Sequence, residues 1–201
     1  MPRDLTLDAY RRLTESGRVA WDIETNGLEP AEAMIGTCQL HSPGIGTFIV
    51  TGVAGKVPPL LARLLVDTRV VKVFHHAPFD LSFMAHAWGV EPRNVACTKI
   101  AAKILSPGEM AEKYSLKYLM ARYFGIFLDK RVRFTDWTAD SLSDEQLEYA
   151  VGDVIRLLDL YDILSGKLQE QGLDDLYSEC RKFLPAHVRL RLRGCADPFK
   201  Y

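Results

Sequence analysis

Two acids, Asp22 and Glu24, stand one residue apart in a run that otherwise reads as a strand, with Trp21 and Ile23 alternating between them. Alternation places both acids on one face and the two apolar residues on the other. Carboxylates so placed repel each other and gain nothing from burial, which asks for a cation between them. The competing reading is a solvated strand end before the turn signal Asn26-Gly27. Asp80 follows Phe74-His75-His76-Ala77-Pro78-Phe79 at the opening of a helix, where an acid also simply complements the helix N-terminus. Tyr149 and Asp153 lie four residues apart on a later helix, stacked one turn from each other at the edge of an apolar stripe. A Tyr and an Asp at that spacing also occur together by chance. Each feature alone has an ordinary structural explanation. Taken together, two carboxylates on a strand, one at a helix start and one on a later helix beside a Tyr form a distinctive set.

The elements that must position these residues follow from periodicity. Leu7, Tyr10 and Leu13 mark a helix over about residues 6–16. Val19–Glu24, Thr37–His41 and Gly46–Val50 read as three consecutive strands of an antiparallel meander. Pro58–Val66 reads as a helix, Val70–Phe74 as a β-branched strand and Asp80–Trp88 as a helix. A short extended piece, Val95–Cys97, leads into a helix over about 99–105, and Ser115 caps a helix to about Phe124. Ser143 and Gln146 form a capping box that opens one long helix to about Leu168. Its apolar stripe is Leu147, Val151, Val154, Leu158 and Tyr161. Strands first, then strand–helix alternation, then helices describe a mixed α/β domain with helices against a central sheet. In the tail, Val188-Arg189-Leu190-Arg191-Leu192-Arg193 alternates strictly, which predicts an extended strand with its arginines on one face, most simply a charged edge, with a backbone grip or a dimer contact as the functional alternative.

The chain of 201 residues, 48% apolar and 25% charged, has ordinary globular composition and the length of one domain. A net charge of -1 excludes global attraction to nucleic acid or membrane and leaves room for a local basic patch. No apolar run approaches the ~20 residues of a membrane span, and Met1–Asp4 does not lead into a signal-peptide core. Cys38, Cys97, Cys180 and Cys195 are scattered without a C-x-x-C pair, which predicts reduced thiols in a cytoplasmic protein rather than a zinc site.

The set of acids, with its flanks, resembles the DEDDy group of 3′→5′ exonucleases, most closely the ribonuclease D branch. Asp22-Ile23-Glu24-Thr25 is similar to the first exonuclease motif, His75 through Asp80 to the second, and Tyr149 through Asp153 to the third, in its Tyr-x-x-x-Asp form. Tyr114-Ser115-Leu116, Leu128-Asp129-Lys130, Thr135-Asp136-Trp137 and Gln146-Leu147-Glu148-Tyr149-Ala150 extend the resemblance over about residues 17–165. It implies a ribonuclease H-like α/β fold: a mixed sheet of three antiparallel then parallel strands, with helices on both faces. It also implies a stand-alone exonuclease domain over 1–201, with residues 166–201 as a C-terminal helix and tail. The implied cofactors are two divalent ions, Mg²⁺ or Mn²⁺, which suit an all-acid site. By the resemblance Asp22, Glu24 and Asp153 hold the ion that activates water. Asp22 bridges to a second ion that Asp80 helps position, and Tyr149 orients the attacking water. The implied substrate is the 3′ end of RNA, preferably single-stranded. Thr25 and Leu28 then lie by the terminal nucleotide.

Two departures from relatives concern substrate rather than metal. His76 stands where many have Asn, and either contacts the nucleotide or is an inert exchange. Phe134 stands where many have Arg, so Arg131 and Arg133 are candidates for phosphate contact, against the alternative of a solvated loop. A DNA exonuclease is the nearest competing reading. An inactive binding module is another, and the presence of all four acids and the Tyr counts against it.

Overall fold

Arg18–Thr25 forms β1, with Val19, Trp21 and Ile23 buried on one face as the alternation requires. The computed structural model describes residues 3–128, 135–139, 141–195 and 197–199. Helix α1 (Leu7–Glu15) precedes β1, and β2 (Ile35–Ser42) and β3 (Gly46–Thr51) return beside it as an antiparallel meander. Helix α2 (Pro59–Val66), β4 (Val71–Phe74), α3 (Ala77–Trp88) and β5 (Val95–Cys97) come next, with β4 and β5 parallel to β1. The sheet order is β3-β2-β1-β4-β5. Helices α4 (Thr98–Leu105), α5 (Leu116–Phe124), α6 (Asp144–Val154), α7 (Leu157–Glu170) and α8 (Asp174–Leu192) complete the chain. This is the mixed α/β sheet of a ribonuclease H-like fold, with helices on both faces.

Each face of the sheet carries its own core. On one, Trp21 stacks on Phe74 at 5.9 Å between ring centres and meets Trp88 at 6.2 Å, among leucines from α1, α2 and α3. Aromatic pairs of this kind contribute about 1 kcal/mol beyond their buried area. On the other, Ala20, Val73 and Ala96 meet Leu119, Leu157, Leu160 and Leu164 from α5 and α7. Asp22 and Glu24 share the face of Ala20. Among the described residues no helix is long and apolar enough to cross a membrane.

Three elements differ from the sequence expectation. Helix α3 begins at Ala77, three residues before Asp80, because Pro78 fits a first helical turn, where its missing N–H leaves nothing unpaired. The expected long helix is two, α6 and α7, broken at Ile155 and Arg156. Periodicity runs on through the break because Val154, Leu157 and Leu158 are all buried, so the pattern alone does not reveal it. The buried positions of α6 are Gln146, Ala150, Asp153 and Val154, so the expected stripe through Leu147 and Val151 is rotated toward the acid. The tail expected as a strand is the end of α8. Tyr177, Leu184 and Val188 are its buried residues, and their spacing of seven and four is helical. The alternation of Arg and Leu is incidental to that longer pattern.

Lys72 is fully buried in β4, and its ammonium donates to the Asp67 carbonyl at the end of α2 at 2.5 Å. A cation there complements the carbonyl end of the helix. Burial nevertheless pulls its pKa down to about 8, against the usual 10.5, with the Asp67 carboxylate opposing. Below pH 8 both folded and unfolded chains carry the proton and the full cost stands. Between about pH 8 and 10.5 the unfolded chain binds more protons, so raising pH relieves it. Lys72→Met is expected to melt above the parent at pH 7, with the margin narrowing across that window. Thermal melts from pH 7 to 10.5 check this; a margin that does not narrow would show that the lysine is not desolvated.

Candidate active site

β4 pairs with β1 only at Arg18, Val19 and Ala20, whereas β2 stays paired with β1 as far as Thr25, with an irregularity after Glu24. Beyond Ala20, β1 therefore has a strand on one side only. The gap opens at the carboxyl ends of the parallel strands, where open α/β sheets form their ligand crevices. After Phe74 the chain turns through His76, in left-handed backbone at φ 68°, and enters α3. That turn brings Asp80 across the gap, where its Oδ1 accepts from the Ile23 amide at 3.3 Å. A backbone donor that β4 leaves behind is thus met by a carboxylate.

Helix α6 lies across β1, β2 and β3 and supplies Asp153 from its last turn. Carboxylate oxygens of Asp22, Glu24 and Asp153 fall within 4.8 Å of one another. Glu24 and Asp153 are 9% and 7% exposed and Asp80 only 3%. Burial pushes the Asp80 carboxyl well above the usual carboxylate range, backbone N–H groups including that of Ile23 pull it back, and the Asp153 charge raises it again. A cation would relieve both burial and repulsion. The converging donors are all carboxylate oxygens, the set that hard divalent ions take. The site fits such ions, with Asp22, Glu24 and Asp153 as holders and Asp80 behind them.

Tyr149 stands one turn before Asp153 and hydrogen-bonds to it. Burial first, then the charges of Asp153, Glu24 and Asp22, drive its pKa upward, so the hydroxyl keeps its proton. Its ring meets Trp137 at 5.8 Å between centres, and Trp137 is 1% exposed. Trp137 in turn lies against Gly36 of β2, where an added Cβ would fall 2.3 Å from the Trp137 carbonyl oxygen. Gln146 fixes this corner. It closes the capping box with Ser143, and its Nε2 donates to Thr135 Oγ1 at 2.9 Å and to the Asp136 carbonyl at 3.0 Å.

Asp22, Glu24, Asp80, Tyr149 and Asp153 line a cleft of about 1030 Å³. Thr25, Leu28 and His76 line it too. The Thr25 hydroxyl is committed to the Gly27 carbonyl at 2.7 Å, and the loop beyond is closed by Met34 N donating to Asn26 Oδ1 at 2.7 Å. Leu28, 66% exposed, projects from that loop. His75 bonds Thr98 Oγ1 through Nδ1 at 2.9 Å. Arg131 and Arg133 lie outside the described residues. The sequence reading missed Lys99 at the start of α4, and it took Arg191 at the end of α8 first as part of a charged edge; both lie in the cleft wall. Arg191 was legible: it continues the spacing of Tyr177, Leu184 and Val188 by one helical turn.

Residues 3–169 match the 3′–5′ exonuclease family. Ribonuclease D of Nitrobacter hamburgensis is 39% identical over 118 residues, 58% of this chain and 30% of that protein. The chain spans less than a third of the length of the curated relatives it matches. The structure of Brucella melitensis NrnC superposes with a TM-score of 0.89 at 36% identity, covering 100% of this chain and 97% of that one. NrnC with bound Mg²⁺ gives 0.88 at 35% identity, and NrnC bound to pGG gives 0.88 at 34%, each covering 100% and 96%.

Acids crowded in the apo protein make ion binding a source of stability, since an ion that binds only the folded state shifts unfolding by mass action. Melting is expected to rise with Mg²⁺ or Mn²⁺, and to rise less in Asp153→Asn; equal shifts would place the ion elsewhere. Gly36→Ala is expected to cost about 1–3 kcal/mol by overpacking against Trp137. A urea midpoint equal to the parent's would show that Trp137 yields freely.

Proposed function

This chain belongs to the 3′–5′ exonuclease family, and we propose that it is a divalent-metal-dependent 3′–5′ exoribonuclease that releases nucleoside 5′-monophosphates from RNA 3′ ends. The observation that carries the reading is the convergence of Asp22, Glu24 and Asp153 within 4.8 Å, with Tyr149 hydrogen-bonded to Asp153. The likeness to ribonuclease D, and to an NrnC that binds pGG, supports RNA and short single strands as substrate. Four free cysteines suit action in a reducing cytoplasm. DNA is the alternative substrate, since sugar choice rests on contacts to the 2′ hydroxyl.

Divalent ions bound at the site supply charge stabilisation at the phosphoryl oxygens and acidify water. The chain's own residues do the rest. Asp22, Glu24 and Asp153 would hold the ions, with Asp80 buried beside them on α3. Asp80, tied to the Ile23 amide, keeps β1 and α3 in register around them. Tyr149 stays neutral, so it is not the base. A neutral hydroxyl both donates and accepts, which lets Tyr149 hold Asp153 with one function and orient the attacking water with the other. Leu28 and His76 flank the terminal nucleotide.

Cleavage is expected to stop in excess chelator and in Asp22→Ala; turnover persisting in either would remove the metal mechanism. Tyr149→Phe is expected to slow single-turnover cleavage ~10²–10⁴-fold while RNA affinity measured in Ca²⁺ stays near the parent's. Unchanged cleavage, or an equal loss of affinity, would make Tyr149 a packing residue. RNA is expected to be digested faster than DNA of the same sequence, and single strands faster than blunt duplex. Matched end-labelled substrates decide, and faster DNA digestion would favour the alternative.

A further inference from the structure

Helix α8 lies outside the segment that matches the exonuclease family, yet it ends inside the cleft. It crosses the sheet at the β5 edge. Near its start, the Tyr177 hydroxyl donates to the Cys97 carbonyl at 3.2 Å and accepts from the Cys97 amide at 3.1 Å. One turn on, Arg181 Nε donates to the Val95 carbonyl at 2.9 Å, and its Nη2 to Asn94 Oδ1 at 3.2 Å. Leu184 and Val188 are then buried at 2% and 1% in the core on the opposite face from Tyr177. Arg191 follows Val188 by three residues and shares its side of the helix. It is half-buried in the cleft wall and makes no ion pair among the described residues. Lys99 is the other Lys or Arg among the described residues that line this cleft, against the acids Asp22, Glu24, Glu29, Asp80, Asp136 and Asp153.

We propose that Arg191 is a positioning residue that grips a phosphate of the nucleic-acid strand upstream of the scissile linkage, with Lys99 on the same path. The inference rests on the exonuclease reading above. Bound ions neutralise the strand's charge only where the carboxylates hold them. Every further phosphate in the cleft meets a wall dominated by acids unless a cation faces it. A guanidinium offers a planar fork of donors that matches phosphate oxygens, and α8 holds it from a rigid helix anchored at Tyr177, Arg181, Leu184 and Val188. The contact carries no base information, so it sets affinity and register for any sequence. It also makes α8 part of substrate binding, although the acids that do the chemistry all lie on other elements.

The test is steady-state cleavage of a short single-stranded RNA with Mg²⁺. Arg191→Gln is expected to raise KM about tenfold with kcat within about twofold. Arg191→Lys should recover part of the loss, and Arg189→Gln, exposed on the same helix, should match the parent. The slope of log KM against log salt should fall by about 0.7 in Arg191→Gln, the loss of one phosphate contact on a single strand. On the parent, replacing upstream phosphates one at a time by neutral methylphosphonates should raise KM at one position, and Arg191→Lys or Arg191→Gln should blunt that effect. An RNA with a 5′-hydroxyl separates a terminal phosphate from an internal one. An active parent indifferent to every upstream replacement overturns the proposal even if Arg191→Gln fails to fold, as does an Arg191→Gln enzyme with parental KM and salt slope. A parent inactive on all nucleic acids would instead overturn the exonuclease reading.

Discussion

Carboxylates held where burial already disfavours their charge are the condition that the rest of this structure has to satisfy. Asp22, Glu24 and Asp153 converge within 4.8 Å, and Asp80 is buried beside them. Left to themselves, such groups would move apart or take up protons. The fold prevents the first by mounting each on a different kind of support. Asp22 and Glu24 are fixed by a strand still paired with β2, Asp80 by a helix that starts within three residues of β4, and Asp153 by the last turn of α6. The early end of β4 makes room for them. Had β4 continued beside β1, its backbone would fill the space that the Asp80 carboxylate now enters.

The break between α6 and α7 serves the same condition. Leu157, Leu158, Leu160 and Leu164 belong to the core against Ala20, Val73 and Ala96, while Gln146, Ala150 and Asp153 are buried over the open end of β1. Turning at Ile155 and Arg156 lets each half meet its own target. Arg156 is held at the turn by an ion pair with Asp159 at 3.1 Å and by lying 4.8 Å over the Phe124 ring. Upstream, Gln146, Trp137 and Gly36 form a chain of contacts that ends on the ring of Tyr149. A hydroxyl whose role is orientation depends on that packing as much as on its own chemistry.

Much of this was legible in the sequence, and the parts that were not share a cause. Alternation in Val19–Glu24 put the two acids on one face, and the Ser143–Gln146 capping box located the start of α6 to the residue. Both are local signals that tertiary structure had no reason to override. The break at Ile155 was hidden because a buried helix end and a continuing helix bury the same apolar residues. The tail was misjudged for the opposite reason. A period of two over six residues looked decisive, but the longer spacing from Tyr177 to Val188 was stronger and put Arg191 alone of its neighbours toward the cleft. Lys99 carried no signal, since a Lys in a first helical turn is unremarkable until the strand before it is known to end at an active-site cleft.

The crowding of acids also weighs between an enzyme and an inactive module of the same fold. A module that only bound nucleic acid or protein would be more stable with neutral residues at these positions, because each replacement would remove both a repulsion and a desolvation. Here the penalties are all retained, down to Asp80, whose structural bond to Ile23 an Asn could accept equally well. Only the charge of these residues distinguishes them from their amides, and only a bound cation turns that charge into stability. The residues around the acids point the same way. Burial first, and the adjoining carboxylates second, hold the Tyr149 hydroxyl in its protonated form, in which it is both donor and acceptor. A cleft walled by acids and still open to a polyanion needs cations in its wall, and Lys99 and Arg191 are among its lining residues.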